Sequence, residues 1–411
     1  MNNDHIHEDL KSQLLREYHG VIYRHWVRPL QQKLMKRDAA ASDGGMLGDM
    51  QQAWLRRSVN AGRLAIVDFR VAVERFTASE QSVVYLGDGK AANELVHVLK
   101  ADVAAMERLG RTFVWQAPDK MRKFAQAGDL VIYERFPTSD WRMYAPYTFC
   151  VPTWVEQVLD IARPLDEILA GMNQNLRRNL RKVQQNGFEY SFSTAHDEFD
   201  RFYHQMYVPY IRHRHAEWGE EIASYDDALQ EFLRGGLILV THNGAPINAM
   251  LCKVYGSTCY AGIMGVHEGQ FAQVQAGANV ALWWGMLEWA KMQGLHHFDF
   301  GSSRPFISNG VFNFKRQWGT RVRRHADLEA EFVFFANELA PVLQRHLNDI
   351  GIIAEKSGKH YRVVFGDVIE EPRAEPLQRM RRSAASNGID GLLIFAAAGG
   401  QPPQYETVEQ G

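Results

Sequence analysis

At 411 residues the chain exceeds one ordinary core and has room for two or three packed units. Lysine plus arginine number 46 against 48 aspartate plus glutamate, a formal charge of -2, so no global field draws the protein to DNA or to an anionic membrane. No apolar run approaches the ~20 residues of a bilayer span, the start MNNDHIHEDL lacks the basic-then-apolar order of a secretory signal, and the expected compartment is the cytoplasm. Three cysteines, Cys150, Cys252 and Cys259, form no paired spacing and are expected to be reduced core residues rather than disulfides or metal ligands.

In chain order, residues 1–61 carry apolar positions at helical spacing (Leu14, Leu15, Tyr18, Val21, Ile22, then Met46, Met50, Trp54, Leu55) broken by DAAASDGG, and predict a helical N-terminal region. Residues 62–150 alternate SVVYL, AANELVHVLKADVAAMERLG, TFVWQ, DKMRKFAQAG and DLVIYERF, a βαβαβ order that predicts a small parallel sheet. Between its first strand and helix, Gly87-Asp88-Gly89-Lys90-Ala91-Ala92 fits G-x-G-x-x-A, but TFVWQAP ends without the acidic residue that a dinucleotide site wants. A tight strand-to-helix turn is the expected reading.

From Trp154, WVEQVLDI predicts a strand and PLDEILAGMNQNLRRNLRKVQQNG a helix stopped by Asn186-Gly187. The strand FEYSFS, a long helix from about Glu198 through RFYHQMYVPYIRHRH, and a helix from about Tyr225 to Arg234 follow. LILVTHNGAPINAMLCKVYGSTCYAGIMGV then predicts three antiparallel strands turned at Asn243-Gly244 and Gly256-Ser257. The helix NVALWWGMLEWAKMQG, the strand HHFDF and the string GSSRPFISNGVFNFKRQWG complete an α+β unit over residues 151–335. Residues 336–411 are expected to form a C-terminal helix and a poorly structured tail, given the prolines, the RMRR cluster and the absence of period.

An arginine-rich helix before a glycine-initiated strand, a helix ending A-x-x-x-G before a DFG-like strand end, and FK-x-x-WG stand in a fixed order over roughly Trp154 to His325. In that order they resemble the GNAT-fold acyltransferases of the FemAB-like branch. The resemblance implies a GNAT-like mixed sheet flanked by helices. It also implies transfer of an acyl or aminoacyl group, from acyl-CoA or aminoacyl-tRNA, to an amine of a cell-envelope precursor or a lipid- or glycan-linked acceptor. It places Lys315 of FK-x-x-WG beside the reacting groups. Two features depart from the branch. The first half reads βαβαβ rather than as a second GNAT half, and Val274 stands where the coenzyme A signature Q/R-x-x-G-x-G/A has Gln or Arg.

Acyl transfer to an amine needs a neutral amine near the carbonyl, donors facing the oxyanion and a route for the proton, but no covalent nucleophile. No Gly-x-Ser-x-Gly elbow is present. Ala276, Gly277, Ala278 and Asn279 form a bulk-free helix start suited to the donor's phosphate or carbonyl; an N-cap and a turn are the alternative. Lys315 is the candidate for oxyanion stabilisation, against a snorkelling surface lysine. Asp299, pointing opposite Phe298 and Phe300, is a candidate proton acceptor in a cleft or the cap of the GSS turn. Arg304 is a candidate partner of Asp299 or of a substrate phosphate, and Tyr260 a candidate acid. Arg177, Arg178, Arg181 and Lys182 on one helix, with Arg212, His213, Arg214 and His215 on another, are candidates to hold a phosphate-bearing acceptor or tRNA, against solvated faces. His296 and His297 lack a metal-ligating partner set. Two other readings remain: a noncatalytic binding module for a polysaccharide precursor or RNA, and a nucleotide-dependent enzyme using GDGKAA.

Overall fold

The computed structural model describes residues 70–87, 90–113, 116–135, 145–214, 222–269, 277–325 and 331–366. It further describes residues 378, 380–382, 384, 388–396 and 404–409. The expected helices of residues 1–61 lie outside them. The chain divides into two compact units. One takes residues 1–155, 304–309 and 324–411, and the other residues 156–303 and 310–323.

The first unit opens with a strand that the sequence reading did not identify, β1 (Arg70–Ala78), which turns at Ser79 and Glu80, both at positive φ, into β2 (Gln81–Gly87). Helix α1 (Lys90–Val98), strand β3 (Glu107–Phe113), helix α2 (Ala117–Gln126) and strand β4 (Leu130–Arg135) follow. The βαβαβ order is present, but the sheet is mixed. β1 lies between β3 and β2 and runs antiparallel to both, while β2 and β4 are parallel. The helix expected over 91–110 ends at Val98, because Lys100 takes φ 53° and the chain re-extends from Glu107. Val84, Leu86, Val131 and Tyr133 pack on Met121 and Ala125 of α2, whereas Val83, Tyr85 and Ile132 pack with Leu95 and Val96 of α1. Alternate side chains of parallel strands thus fill two faces, as burial on both sides requires.

Residues 62–150 do not close on themselves. After β5 (Tyr147–Pro152) the chain returns with β13 (Glu331–Ala336), which inserts antiparallel between β4 and β5. The C-terminal region also differs from expectation. A helix runs over Pro341–Ile350 and ends at Gly351 in the left-handed region. Beyond it β14 (Ile353–Lys356), β15 (Lys359–Phe365), β16 (Gly391–Ala396) and β17 (Gln404–Glu409) form a second sheet in sequence order, with β15 and β16 parallel. Phe365 and Phe395 join Tyr147, Phe149 and Phe334 in one core. That shared burial explains order in a segment whose sequence carries little local period.

The second unit is a seven-stranded sheet in the order β12-β6-β11-β10-β9-β8-β7. Its strands are β6 (Val155–Asp160), β7 (Phe188–Ser193), β8 (Gly235–His242), β9 (Ala245–Tyr255), β10 (Thr258–Val266), β11 (His297–Ser303) and β12 (Arg321–Arg324). The meander β8 to β10 is antiparallel as expected, with Asn243 and Gly244 both at positive φ in the first hairpin turn, and β7 pairs antiparallel with β8 at the edge. The expected helix over 164–187 is two, α3 (Leu165–Gly171) and α4 (Gln174–Gln185), broken where Met172 is extended and the Asn173 side chain caps α4. Helix α5 is α-helical over His196–Arg201 and Val208–Arg214 with a π-helical middle, Phe202–Tyr207, and α6 spans Tyr225–Phe232. Gly265 of β10 faces that π-helical backbone so closely that a Cβ would lie 2.5 Å from the Tyr207 amide nitrogen. Helix α7 (Asn279–Met292) is apolar around most of its circumference because it lies in the core with α4 and one sheet face.

Candidate active site

The strands β10 and β11 are the parallel pair at the middle of this sheet. Their register runs Thr258↔His297, Cys259↔Phe298, Tyr260↔Asp299 and ends there. β10 is irregular against β9 between Ala261 and Met264, immediately after the last paired residue. The two strands therefore part at Tyr260 and Asp299. Parity puts Phe298 and Phe300 into the apolar core, where Phe300 stacks on Trp283 of α7 with ring centroids 4.9 Å apart. Asp299 must point the other way.

That other face does not open as a cleft around Asp299, which is 1% exposed. Its Oδ1 accepts the Gly301 amide at 2.7 Å, so it caps the turn after the strand, and Gly301 takes φ 76° there. Its Oδ2 accepts from Arg323 Nη2 of β12 at 3.2 Å. The same Nη2 lies 3.0 Å from Oε2 of Glu156 on β6. Burial first, and the neighbouring Glu156 charge second, push the Asp299 carboxyl up to about 6; the Gly301 amide, Arg323 and Lys315 act against that rise. Tyr260 is raised by its own burial and then by the Asp299 charge.

Lys315 belongs to helix α8 (Gly310–Arg316) and is 6% exposed, so it is not a snorkelling surface lysine. Its Nζ donates to the Ser302 carbonyl at 2.7 Å, and a Cβ on Gly301 would lie 3.8 Å from it. Burial lowers the ammonium to about 8, with Asp299 and Glu156 pulling it back up. The helix is fixed by packing and by one buried amide. Phe312 and Trp318 are fully buried, and Trp318 lies 5.6 Å from Phe300 between ring centroids. Gln157 of β6 donates to the Phe312 carbonyl at 3.2 Å and to Thr320 Oγ1 at 3.3 Å, and accepts from Ser303 Oγ at 2.7 Å. Gly319 takes φ 79°, and a Cβ there would lie 2.9 Å from the Gly171 carbonyl oxygen, which explains the glycine of the WG pair.

The remaining predicted site residues are placed as follows. Arg304 belongs to the first unit, where its guanidinium stacks over Trp154 at 3.7 Å, donates to the Thr153 carbonyl at 3.0 Å and pairs with Glu94 of α1. The arginine of Asp299 is Arg323. Ala276 lies outside the described residues. Gly277 takes φ 118° with Val183 Cγ2 only 3.1 Å from where a Cβ would stand, so the helix approach itself requires glycine. Ala278 is fully buried, and Asn279 begins α7 with its Oδ1 unpartnered among the described residues. On α4, Arg178, Arg181 and Lys182 are exposed and Arg177 is half-buried with its Nε unpartnered among the described residues. Arg212 and His213 are exposed near the end of α5, and His215 lies outside the described residues. In the first unit, the Tyr85 hydroxyl and Glu134 fill the space that a Cβ on Gly87 would need, which accounts for the first glycine of GDGKAA; Asp88 and Gly89 lie outside the described residues.

Sequence reasoning missed Glu156 and Gln157, polar residues inside the predicted strand WVEQVLDI, and Arg323 of β12, a strand it did not predict. It also missed Asn248 of β9, fully buried with neither amide atom hydrogen-bonded among the described residues.

The sheet is mixed, and its parallel strands β10 and β11, which helix α7 connects, part at Tyr260 and Asp299. Residues 170–316 match the family model for the acetyltransferase (GNAT) domain, and the chain carries that domain. None of the curated proteins matches the chain. Among solved structures, FemX is similar at 16% identity over 62% of this chain and 81% of that chain, TM-score 0.34. The C-terminal domain (DUF2156) of a putative lysylphosphatidylglycerol synthetase from Agrobacterium fabrum is similar at 12% identity over 66% of this chain and 82% of that chain, TM-score 0.34. A tandem GNAT protein from the clavulanic acid biosynthesis pathway is similar at 11% identity over 64% and 78%, TM-score 0.26. Among the described residues no helix is long and apolar enough to cross a membrane.

Proposed function

We propose that the second unit transfers an acyl or aminoacyl group directly from acyl-CoA or an aminoacyl-tRNA to an amine of a large acceptor bearing phosphate or glycan. The observation that carries this reading is the burial of Lys315 and Asp299 where β10 and β11 part. A cation and an anion are costly to bury unless something uses them. In this reading the carbonyl carbon of the donor is attacked by the neutral amine, the thioester or ester bond breaks, and the leaving thiol or hydroxyl takes a proton. Lys315 stabilises the oxyanion that develops in the transition state, Asp299 accepts the proton that the amine nitrogen releases as the C–N bond forms, and Tyr260 is the candidate donor to the leaving group.

Gly277, Ala278 and Asn279 supply the helix start toward which the donor's phosphates or carbonyl would be drawn, with the unpartnered Asn279 Oδ1 available to a donor hydroxyl or amine. Arg177, Arg178 and Arg181, with Arg212 and His213, would hold the acceptor's phosphates. The FemAB-like assignment rests on the order of motifs in the sequence, and a cell-envelope acceptor follows from it.

The test begins with native mass spectrometry of protein taken from cells, to identify a copurifying thioester, tRNA or lipid-linked ligand, followed by steady-state transfer with that pair. A loss of kcat in Lys315→Met with the fold intact supports the reading. Full turnover in that variant overturns it and leaves a GNAT-fold binding module as the alternative.

A further inference from the structure

Two acidic side chains on neighbouring strands, Glu156 of β6 and Asp299 of β11, lie on one face of the sheet, 8% and 1% exposed. Like charges so placed and so dry cannot both ionise without a shared counter-charge. One nitrogen provides it. Arg323 Nη2 lies 3.0 Å from Glu156 Oε2 and 3.2 Å from Asp299 Oδ2, and Arg323 Nε reaches the same Glu156 oxygen at 3.2 Å. Glu156 therefore takes two of the guanidinium's donors and Asp299 one, so that Glu156 anchors the arginine and the arginine reaches across β6 to Asp299.

We infer that Arg323, anchored by Glu156, is a positioning residue: it keeps Asp299 ionised and holds its carboxylate against the Gly301 turn beside Lys315. This rests on the proposed reading, in which Asp299 accepts the proton of the attacking amine. The groups facing Asp299 are Glu156 from β6, Arg323 from β12, Tyr260 from β10 and Lys315 from α8. Lys315 does not replace Arg323: it also opposes the rise of the Asp299 carboxyl, but less than Arg323 does, and its ammonium donates to the Ser302 carbonyl. Arg323 is also suited to the task by its side chain being half exposed. It brings a charge that stays partly hydrated to two carboxylates that do not.

The signs of two substitutions separate this role from simple packing. Removing the positive charge, Arg323→Gln, should make Asp299 harder to ionise, and removing the negative one, Glu156→Gln, should make it easier. The experiment is a 13C NMR titration of the full-length protein labelled at aspartate Cγ, with Asp299→Asn identifying the resonance. In the parent the midpoint is expected at about 6. In Arg323→Gln it should rise by about one unit or more, in Arg323→Lys it should stay within about half a unit, and in Glu156→Gln it should fall. An unmoved midpoint in Arg323→Gln, or a rise in Glu156→Gln, overturns the inference. Should Arg323→Gln fail to fold, Arg323→Met is read by the same sign: a rise upholds the inference and an unmoved midpoint overturns it.

Once a donor and acceptor are in hand, the acid limb of kcat in Arg323→Gln should move up with the midpoint, and its rate should recover at higher pH. Midpoints that move as stated in a protein without any transfer activity would uphold the Arg323 role in setting the Asp299 charge and defeat the acyltransfer reading alone.

Discussion

Helices α8 and α4 of the second unit each carry cations that the sequence marks out, and they use them in opposite ways. Lys315 is enclosed, committed to the Ser302 carbonyl and lowered to about 8 by burial. Arg178 and Arg181 are exposed on α4. A buried charge interacts through a medium of low effective dielectric and can act on a developing charge at full strength, whereas exposed charges are worth little singly and are screened within ~8 Å at physiological ionic strength. In the proposed reading the one changes a barrier and the other attracts a polyanion.

The comparison breaks most visibly at Lys315. Lys315→Met should lower kcat by roughly a hundredfold or more with little change in substrate binding, because the interaction is made only in the transition state; steady-state kinetics checks it. Asp299→Asn preserves the acceptor for the Gly301 amide but not the base, and should lower kcat by about ten- to a hundredfold. A circular dichroism spectrum matching the parent would show that the fold survives.

Gly277→Val sharpens the comparison from the structural side. With φ at 118° and Val183 close by, the substitution strains the backbone whether or not a donor binds there. A loss of about 1–3 kcal/mol in chemical denaturation is expected. Calorimetry with coenzyme A then asks whether affinity falls beyond that.

The smallest effect belongs to the exposed helix. Changing Arg177, Arg178 and Arg181 together to glutamine should raise the acceptor KM several-fold and flatten its salt dependence while leaving kcat in place. Unchanged kinetics would return these residues to a solvated face.

What the sequence disclosed follows the reach of its signals. The meander with its Asn-Gly turn, the apolar helix α7 and the aromatic packing of FNFKRQWG are written in local period and turn chemistry, and all are present. The break at Met172 was hidden because LDEILAG and QNLRRNLRKVQQ share one helical period, and only the Asn173 cap separates them. The mixed character of the first sheet and the C-terminal strands depend on partners hundreds of residues apart, such as β13 with β4, which no local pattern encodes. Asp299 and Lys315 were legible as polar residues among aromatics. Their burial was not, since it depends on Glu156, Gln157 and Arg323 arriving from other strands. For the same reason Arg304, five residues from Asp299 in sequence, gave way to Arg323, which the fold brings from β12.

The central claim is that a charged Lys315 beside an ionised Asp299 carries the transfer, and the pH dependence of kcat in the parent and in Lys315→Arg tests it most directly. Below about 6 Asp299 takes up a proton and cannot act as a base, and above about 8 Lys315 loses the proton that makes it a cation. The parent should therefore give a bell with limbs near those two values. Lys315→Arg, slower because a planar fork does not replace a point charge, keeps its charge throughout this range, so its alkaline limb should disappear while the acid limb remains. An alkaline limb that persists unchanged in Lys315→Arg, or a parent profile flat from pH 5 to 9, would contradict the account.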